Sequence, residues 1–152
     1  MDFKLPERPE FSNKGTFGKV LNIAGSENYS GAAYLSSVSA LKIGCGYVAL
    51  SSSQKTMNTV ASLSPDIVYI PLENIKTSID KFNVISIGCG LSVTTGTSIL
   101  FKSLISALSV TDKVVLIDAD GLNIMAKKKP VKLPEKLIIT PHPMEASRLL
   151  KT

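Results

Sequence analysis

The sequence predicts an α/β layer sandwich built on a parallel sheet, and three observations carry that prediction. Short β-rich apolar runs end repeatedly at small residues, and amphipathic helical stretches alternate with them. One run, Lys113-Val-Val-Leu-Ile117, is continuously apolar behind a single charge, the pattern of a strand covered on both faces. The length, 152 residues, suits one domain, and 44% hydrophobic with 19% charged residues is the composition of a chain with a core.

The elements follow in order. Residues 1–18 read as a polar N-terminal arm, in which Pro6 and Pro9 break any helix and Gly15 and Gly18 loosen the backbone, so the α/β domain is expected over 19–152. Lys19–Ala24 is the first strand and stops at Gly25. Ser30 opens a helix in which Tyr34, Val38 and Leu41 recur at helical spacing, with Gly44 suited to its C-cap. Tyr47–Leu50 reads as a strand, Thr56–Leu63 as a short helix and Asp66–Ile70 as a third strand. Val84–Ile87 is the fourth, ending at Gly88. The helix over Thr95–Leu108 is expected to bury Ile99, Leu100, Leu104, Ile105 and Leu108 on one face. Lys113–Ile117 comes next. Leu137–Ile139 then leads through Thr140-Pro-His-Pro143 into a last helix that reaches Leu150. Lys127–Lys129, with Lys132 and Lys136, form a lysine-rich surface loop. The chain stops at Thr152, directly behind that last helix, with no sign of a natural end.

Charge and cysteine content narrow the function. Seventeen basic and twelve acidic side chains leave a net charge of +5 and a pI near 9.2. That excess favours anionic partners without choosing between nucleic acid, a membrane surface and phosphorylated metabolites. Nucleic acid is disfavoured by the lack of interleaved aromatics and of a recognition-helix pattern. No apolar run is long enough for a bilayer, and the first residues are too polar for a signal peptide, so no membrane partner is expected. Cys45 and Cys89 make neither a disulfide framework nor a zinc site by themselves, and His142 is the only histidine. The expectation is a soluble, cytoplasmic protein in a reducing compartment.

In an open α/β sheet, ligands bind beyond the carboxyl ends of the strands, and four unusual segments fall there. Gly25-Ser-Glu-Asn-Tyr-Ser-Gly31 can bring backbone N–H groups at a helix N-terminus close to an anion. A tight turn with Ser30 as N-cap explains it equally well, and it is neither a dinucleotide fingerprint nor a Walker A loop. Gly88-Cys-Gly90, followed by Ser92, Thr94 and Thr95, permits close backbone approach by a ligand or simply a sharp turn. Cys89 reads as a small buried thiol. Asp118-Ala-Asp120-Gly-Leu-Asn123 ends the strongest strand; its carboxylates and amide suit a metal, a ribose or a hydroxyl group, or else Asp118 caps a loop and Asp120 the helix behind it. In Thr140-Pro-His-Pro-Met-Glu145 two prolines present His142, and Glu145 suits the first helical turn. Together the four point to one cleft. Lys14 and the Lys127–Lys129 cluster can also approach phosphates, although a solvated loop accounts for the cluster.

With those residues laid out, the chain resembles the NAD(P)H-hydrate dehydratases, ADP- or ATP-dependent repair enzymes of the ribokinase-like superfamily. The matching pieces are Lys14-Gly-Thr-Phe-Gly18, Val20-Leu-Asn-Ile-Ala-Gly-Ser26, Tyr29-Ser-Gly-Ala32 and Ala40-Leu-Lys-Ile-Gly-Cys-Gly46. They continue with Ile87-Gly-Cys-Gly-Leu91, Asp118-Ala-Asp-Gly-Leu-Asn123 and Thr140-Pro-His-Pro-Met-Glu145 with Arg148, in the family's order and over nearly the whole chain. The family usually has proline where Cys89 stands and glycine where Ser92 and Met144 stand. It also continues into a second half with a Gly-Gly-x-Gly-Asp type segment that holds the nucleotide phosphates and supplies an essential aspartate; this sequence contains no such segment.

The resemblance implies a ribokinase-like three-layer α/β/α sandwich on a largely parallel sheet, incomplete at its C-terminus. It implies repair of hydrated NADH or NADPH, with ADP or ATP and Mg²⁺: the terminal phosphate activates the ring hydroxyl, and elimination regenerates the dihydronicotinamide. By the same resemblance Ala32, Gly88, Gly90 and His142 contact the dinucleotide, Asp120 and Asn123 line the cleft, and Glu145 supports it. The catalytic base has no counterpart here, so little or no turnover is expected of this chain alone. Half of a doubly covered sheet exposes a strand edge and apolar faces, so a homo-oligomer or a complementing C-terminal half is expected. The alternatives are a fragment of a related kinase acting on a sugar or vitamin precursor, and a non-catalytic dinucleotide-binding remnant. Thr140-Pro-His-Pro143 with Glu145 favours the dehydratase.

Overall fold

The computed structural model describes residues 9–127 and 132–152; the first eight residues of the expected arm, and Lys128 and Lys129 of the lysine-rich loop, lie outside them. Six strands form one sheet: β1 Lys19–Ile23, β2 Tyr47–Ser51, β3 Val68–Tyr69, β4 Val84–Ile87, β5 Val114–Ile117 and β6 Leu137–Ile139. Their order is β3-β2-β1-β4-β5-β6, and all five pairings are parallel. The helices α1 Ser30–Lys42, α2 Gln54–Leu63, α3 Ile75–Ser78, α4 Thr95–Leu108 and α5 Ala119–Lys127 lie between successive strands, and α6 Pro143–Leu150 follows β6.

Strand alternation divides the side chains between two faces. Leu21, Ile23, Ala49, Ile85, Ile87, Val115 and Ile117 share one buried cluster with residues of α3, α4 and α5, and Leu149 of α6 packs against it. On the other face, Ala24 and Leu50 pack with Ala33 of α1 and Val60 of α2. Asn22, also on that face and 2% exposed, donates from Nδ2 to the hydroxyls of Ser36 and Ser37 at 2.7 and 2.9 Å, which pins α1 across β1. The result is helices on both sides of a parallel sheet, as the sequence predicts.

Local chemistry shifts several boundaries. Helix α2 starts at Gln54, two residues before the expected Thr56, because the Ser53 hydroxyl caps it by accepting from Thr56 N at 3.3 Å. Ser30 lies inside α1 rather than capping it; Tyr29 holds the N-cap position and makes no side-chain cap bond. Gly44 takes φ 106° directly after the C-cap residue Ile43, in the backbone region that favours glycine. Strand β3 is two residues long instead of five. The stretch without an expected element, 71–83, contains α3 between two 3₁₀ turns, and its Ile75, Ile79 and Phe82 enter the core. In α4 the expected face is corrected at one position: Ile99 is 64% exposed while Phe101 is buried. At 3.6 residues per turn, Ile99 sits roughly 160° around the helix from Phe101.

Candidate functional site

All six strands run in one direction, so their carboxyl ends form a single rim. Backbone hydrogen bonds continue past the strands and draw the loops together there. Gly25 N donates to Cys89 O at 2.8 Å, Gly88 N to Ile23 O at 3.1 Å, and Asp118 N to Ile87 O at 3.1 Å; Thr140 N reaches Ile117 O at 3.3 Å. The chain progresses outward from β1 through β2 to β3, then returns to β4 on the other side of β1 and progresses the opposite way. Reversal of strand order opens a crevice between the β1 and β4 loops, the position where doubly wound sheets bind dinucleotides.

Three glycines shape this crevice by contact with protein. At Gly90 (φ 66°) an added Cβ would stand 2.7 Å from Ala32 Cβ and 2.8 Å from Tyr29 Cβ, so this loop lies directly on the start of α1. At Gly88 the space is filled by the Asp118 carbonyl, 2.0 Å from where a Cβ would sit, and Gly121 closes the same seam against Ile87 O. These absences of side chain let α5 begin hard against β4.

A relay of polar side chains crosses the rim from β1 to α6. The Ser26 and Ser92 hydroxyls are 2.9 Å apart; Ser92 N donates to Asp120 Oδ2 at 2.9 Å. Asn123 Nδ2 reaches Asp120 Oδ1 at 3.5 Å, and Asn123 Oδ1 accepts from Arg148 Nη1 at 2.8 Å. Ser92 holds φ 65° and Ala119 φ 46°, both in the left-handed region, so backbone strain gathers on the two loops that the relay joins. The positive φ at Ser92 also gives a physical reason for the glycine that the resemblance expects there.

Two adjoining hollows follow the relay. One of about 480 Å³ is lined by Tyr29, Gly90, Ser92, Val93 and Asp120. The other, about 430 Å³, is lined by Val93, Asn123, Ala126, Lys127 and Arg148. They share Val93 and so adjoin as one groove, with Asp120 at one end and Lys127 and Arg148 at the other.

The expected site residues are therefore placed in two groups. Gly90 and Asp120 line the upper hollow and Asn123 the lower one, while Ala32 packs behind Gly90 and Gly88 against the Asp118 carbonyl. His142 and Glu145 stand farther along the rim, beyond β6, where they cap α6. His142 Nδ1 accepts from Met144 N at 3.2 Å, which leaves the ring proton on Nε2, 3.3 Å from Glu145 Oε1. Glu145 Oε2 accepts from His142 N at 3.0 Å, so a carboxylate only 7% exposed has both oxygens occupied, while the imidazole is 57% exposed. Among the described residues no hydrogen bond joins this pair to Asp120 or Gly90; Arg148, one turn and more along α6, makes the link to Asn123. Asp120 sits in the first turn of α5 and reaches across to Ser92 rather than capping its own helix. Asp118 Oδ1 accepts from Ala119 N at 2.8 Å. Cys89 is half-buried beside it, and its thiol is pushed up to about 11 by burial first and the Asp118 charge second.

Sequence reasoning missed Ser26 as a partner of Ser92, and Val93 and Ala126 as groove lining; it named Lys127 only within the lysine cluster that can approach phosphates. Asp120, Asn123 and Lys127 recur at helical spacing and share one helix face, a signal present in the sequence. The Ser26–Ser92 pair spans 66 positions and leaves no local trace. Among the described residues no helix is long and apolar enough to cross a membrane.

The fold is similar to that of a ribokinase-like protein. It superposes on a ribokinase-like superfamily protein of Enterococcus faecalis with a TM-score of 0.87 at 24% identity, over 95% of this chain and 52% of that one. Residues 20–152 match the family described as NAD(P)H-hydrate dehydratase, and the chain belongs to that family. It is 36% identical over 150 residues to the ADP-dependent (S)-NAD(P)H-hydrate dehydratase of Neisseria meningitidis, covering 95% of this chain and 50% of that protein. An ADP/ATP-dependent NAD(P)H-hydrate dehydratase of Bacillus subtilis, co-crystallised with ATP and Mg²⁺, is 30% identical with a TM-score of 0.79, over 97% of this chain and 52% of that one. The chain spans about half the length of the curated relatives it matches.

Proposed function

We propose that this chain forms the dinucleotide-binding wall of an ADP- or ATP-dependent NAD(P)H-hydrate dehydratase. The observation that supports it most is the groove at the reversal of strand order, with Tyr29 and Gly90 lining its upper end and the Ser92–Asp120–Asn123 relay along its wall. In the proposed reaction, the terminal phosphoryl group of ADP or ATP passes to the ring hydroxyl with release of AMP or ADP, and loss of inorganic phosphate and a ring proton restores the double bond. This chain's part is to bind and orient. Ala32, Gly88 and Gly90 bring backbone close to the dinucleotide, Asp120 and Asn123 offer polar groups to its hydroxyls, and His142, held by Glu145, closes the far end of the rim.

Among the described residues no three His, Cys, Asp or Glu side chains converge, so Asp118 or Asp120 would hold a Mg²⁺ only together with the nucleotide's phosphates, the way this ion is commonly bound. No catalytic base is assigned. The proposed protein is cytoplasmic, with the polar arm over 1–18 preceding an α/β domain over 19–152. We also place a second copy of this chain, or a complementing C-terminal half, on the half-covered side of the sheet.

Two measurements test the reading. Titration of the 152-residue chain with NADP⁺ should show saturable binding that Gly90→Val abolishes, because its side chain meets Ala32 and Tyr29. Incubation with hydrated NADH plus ADP or ATP, followed by the absorbance of reduced nicotinamide, should show little turnover from this chain alone. Phosphorylation of a sugar or of hydroxymethylpyrimidine, without recovery of NADH, would overturn the assignment.

A further inference from the structure

The lower end of the groove has chemistry that the dinucleotide wall does not need for shape. Lys127 and Arg148 line it together with Asn123, and none of its lining residues is acidic. Among the described residues neither cation is paired with a carboxylate; the Lys or Arg ion pair there is Lys55–Glu27. A basic residue in the last turn of a helix is ordinarily explained by the helix dipole. That suffices for the position of Lys127 at the end of α5. It does not explain Arg148, whose guanidinium turns sideways from α6 and donates to Asn123 on α5 at 2.8 Å instead of to carbonyls of its own helix. One of its five N–H donors is used by that bond, and the bond holds the planar fork against the groove.

We propose that the Lys127–Arg148 end of the groove is an anion subsite that takes a phosphate group of the dinucleotide. The inference rests on the reading of the groove given above and deepens it. Asp120 and Lys127 are seven residues apart on α5, so the negative and positive ends of the groove are separated by about 10 Å of helix rise. A ligand that places hydroxyl groups at Asp120 and a phosphate at Arg148 matches that polarity. A fixed guanidinium beside a flexible ammonium suits a phosphate monoester, which offers three oxygens and up to two charges, better than a bridging pyrophosphate whose charges are shared along the chain.

Calorimetric titration of the intact chain with NADP⁺ and with NAD⁺ at low salt tests this. Arg148→Gln and Lys127→Gln should each weaken NADP⁺ about tenfold, the loss of one charge-assisted contact, and leave NAD⁺ nearly unchanged. The wild-type affinity should also fall with added salt more steeply than that of the double variant. Lys127 is exposed, so its variant should melt at the wild-type temperature and separates binding from folding. A selective loss for NADP⁺ assigns the 2′-phosphate to the subsite; equal losses for both dinucleotides assign the pyrophosphate and still support an anion site. Unchanged affinity for both overturns it. If Gly90→Val abolishes binding while the charge variants leave it intact, the subsite falls and the groove stands. If the wild-type chain binds neither dinucleotide, both fall.

Discussion

One row of side chains crosses the sheet from Leu50 through Asn22, Ser86 and Leu116 to Ile138, each paired in register with the next. Its exposure is not uniform. Leu50 is fully buried and Asn22 is 2% exposed under α1 and α2, Ser86 and Leu116 are half-buried, and Ile138 is 49% exposed. The opposite face shows no such gradient over its inner strands: Ala49, Leu21, Ile85 and Val115 are all fully buried beneath the α3–α5 layer. The same backbone thus carries a closed half and a half that two helices leave open. Hydrophobic stabilisation follows the apolar area removed from water, so it is concentrated on the α3–α5 side, and whatever reaches the open side does so without disturbing that core. The crevice lies over the boundary between the halves, since β1 belongs to the closed part and β4 to the open one.

The comparison breaks hardest at Phe101. It is the largest fully buried side chain and packs in the cluster shared by α4 with β1, β4 and β5. Truncation to alanine should cost about 3–5 kcal/mol, read as a shift of the urea midpoint. A loss under 1 kcal/mol would mean that stability is not gathered on this face.

Cys89 sits at the boundary and probes it chemically. Its thiol value, about 11 against 9.0 for the free group, means the folded protein holds the proton where the unfolded chain releases it. Stability from this group is therefore present below pH 9 and is lost as pH climbs from 9 towards 11. In a Cys45→Ser background, the thiol should react with a disulfide reagent at pH 8 about a hundredfold more slowly than in urea, following its smaller thiolate fraction. A rate equal to that of the unfolded chain would show that the boundary is open to solvent and that Asp118 does not face the sulfur.

Much of this architecture was legible in the sequence, and what was not has identifiable causes. Val84–Ile87, Leu137–Ile139, Thr95–Leu108 and Pro143–Leu150 have the expected boundaries, because the first apolar run stops at Gly88, the second at Thr140-Pro141, and the helices begin at Thr94 and His142 caps. The four candidate segments all follow parallel strands and so lie along one rim, but Thr140–Glu145 stands beyond β6, apart from the crevice. Finer assignments depend on distances across the chain. Asn123 reads as an amide suited to a metal, a ribose or a hydroxyl group, and the sequence gives no sign that Arg148, 25 positions away, holds it. His142, framed by prolines, reads as a presented ligand; its Nδ1 is spent on capping, and only Nε2 faces outward toward Glu145 and solvent. The openness of β6 is invisible for a deeper reason. Leu137-Ile-Ile139 is apolar at every position, the signature of two-sided cover, yet Ile138 and Ile139 are exposed.

Ile138 therefore gives the smallest and most discriminating change. In a chain whose open face stays in water, Ile138→Ser removes little buried area, and its effect on unfolding should stay within about 0.5 kcal/mol. Sedimentation of the wild type should instead show mass action: a species heavier than the monomer that grows with concentration, because an exposed apolar strand beside an unpaired sheet edge associates. The serine variant should shift that equilibrium toward monomer while keeping NADP⁺ affinity, since Ile138 lies outside the groove. A wild type that sediments as a clean monomer at all concentrations would remove the second copy from this face. A serine variant that loses several kcal/mol, with the loss growing as the protein is concentrated, would show that the face is already covered in solution and that the two halves of the sheet are equally closed.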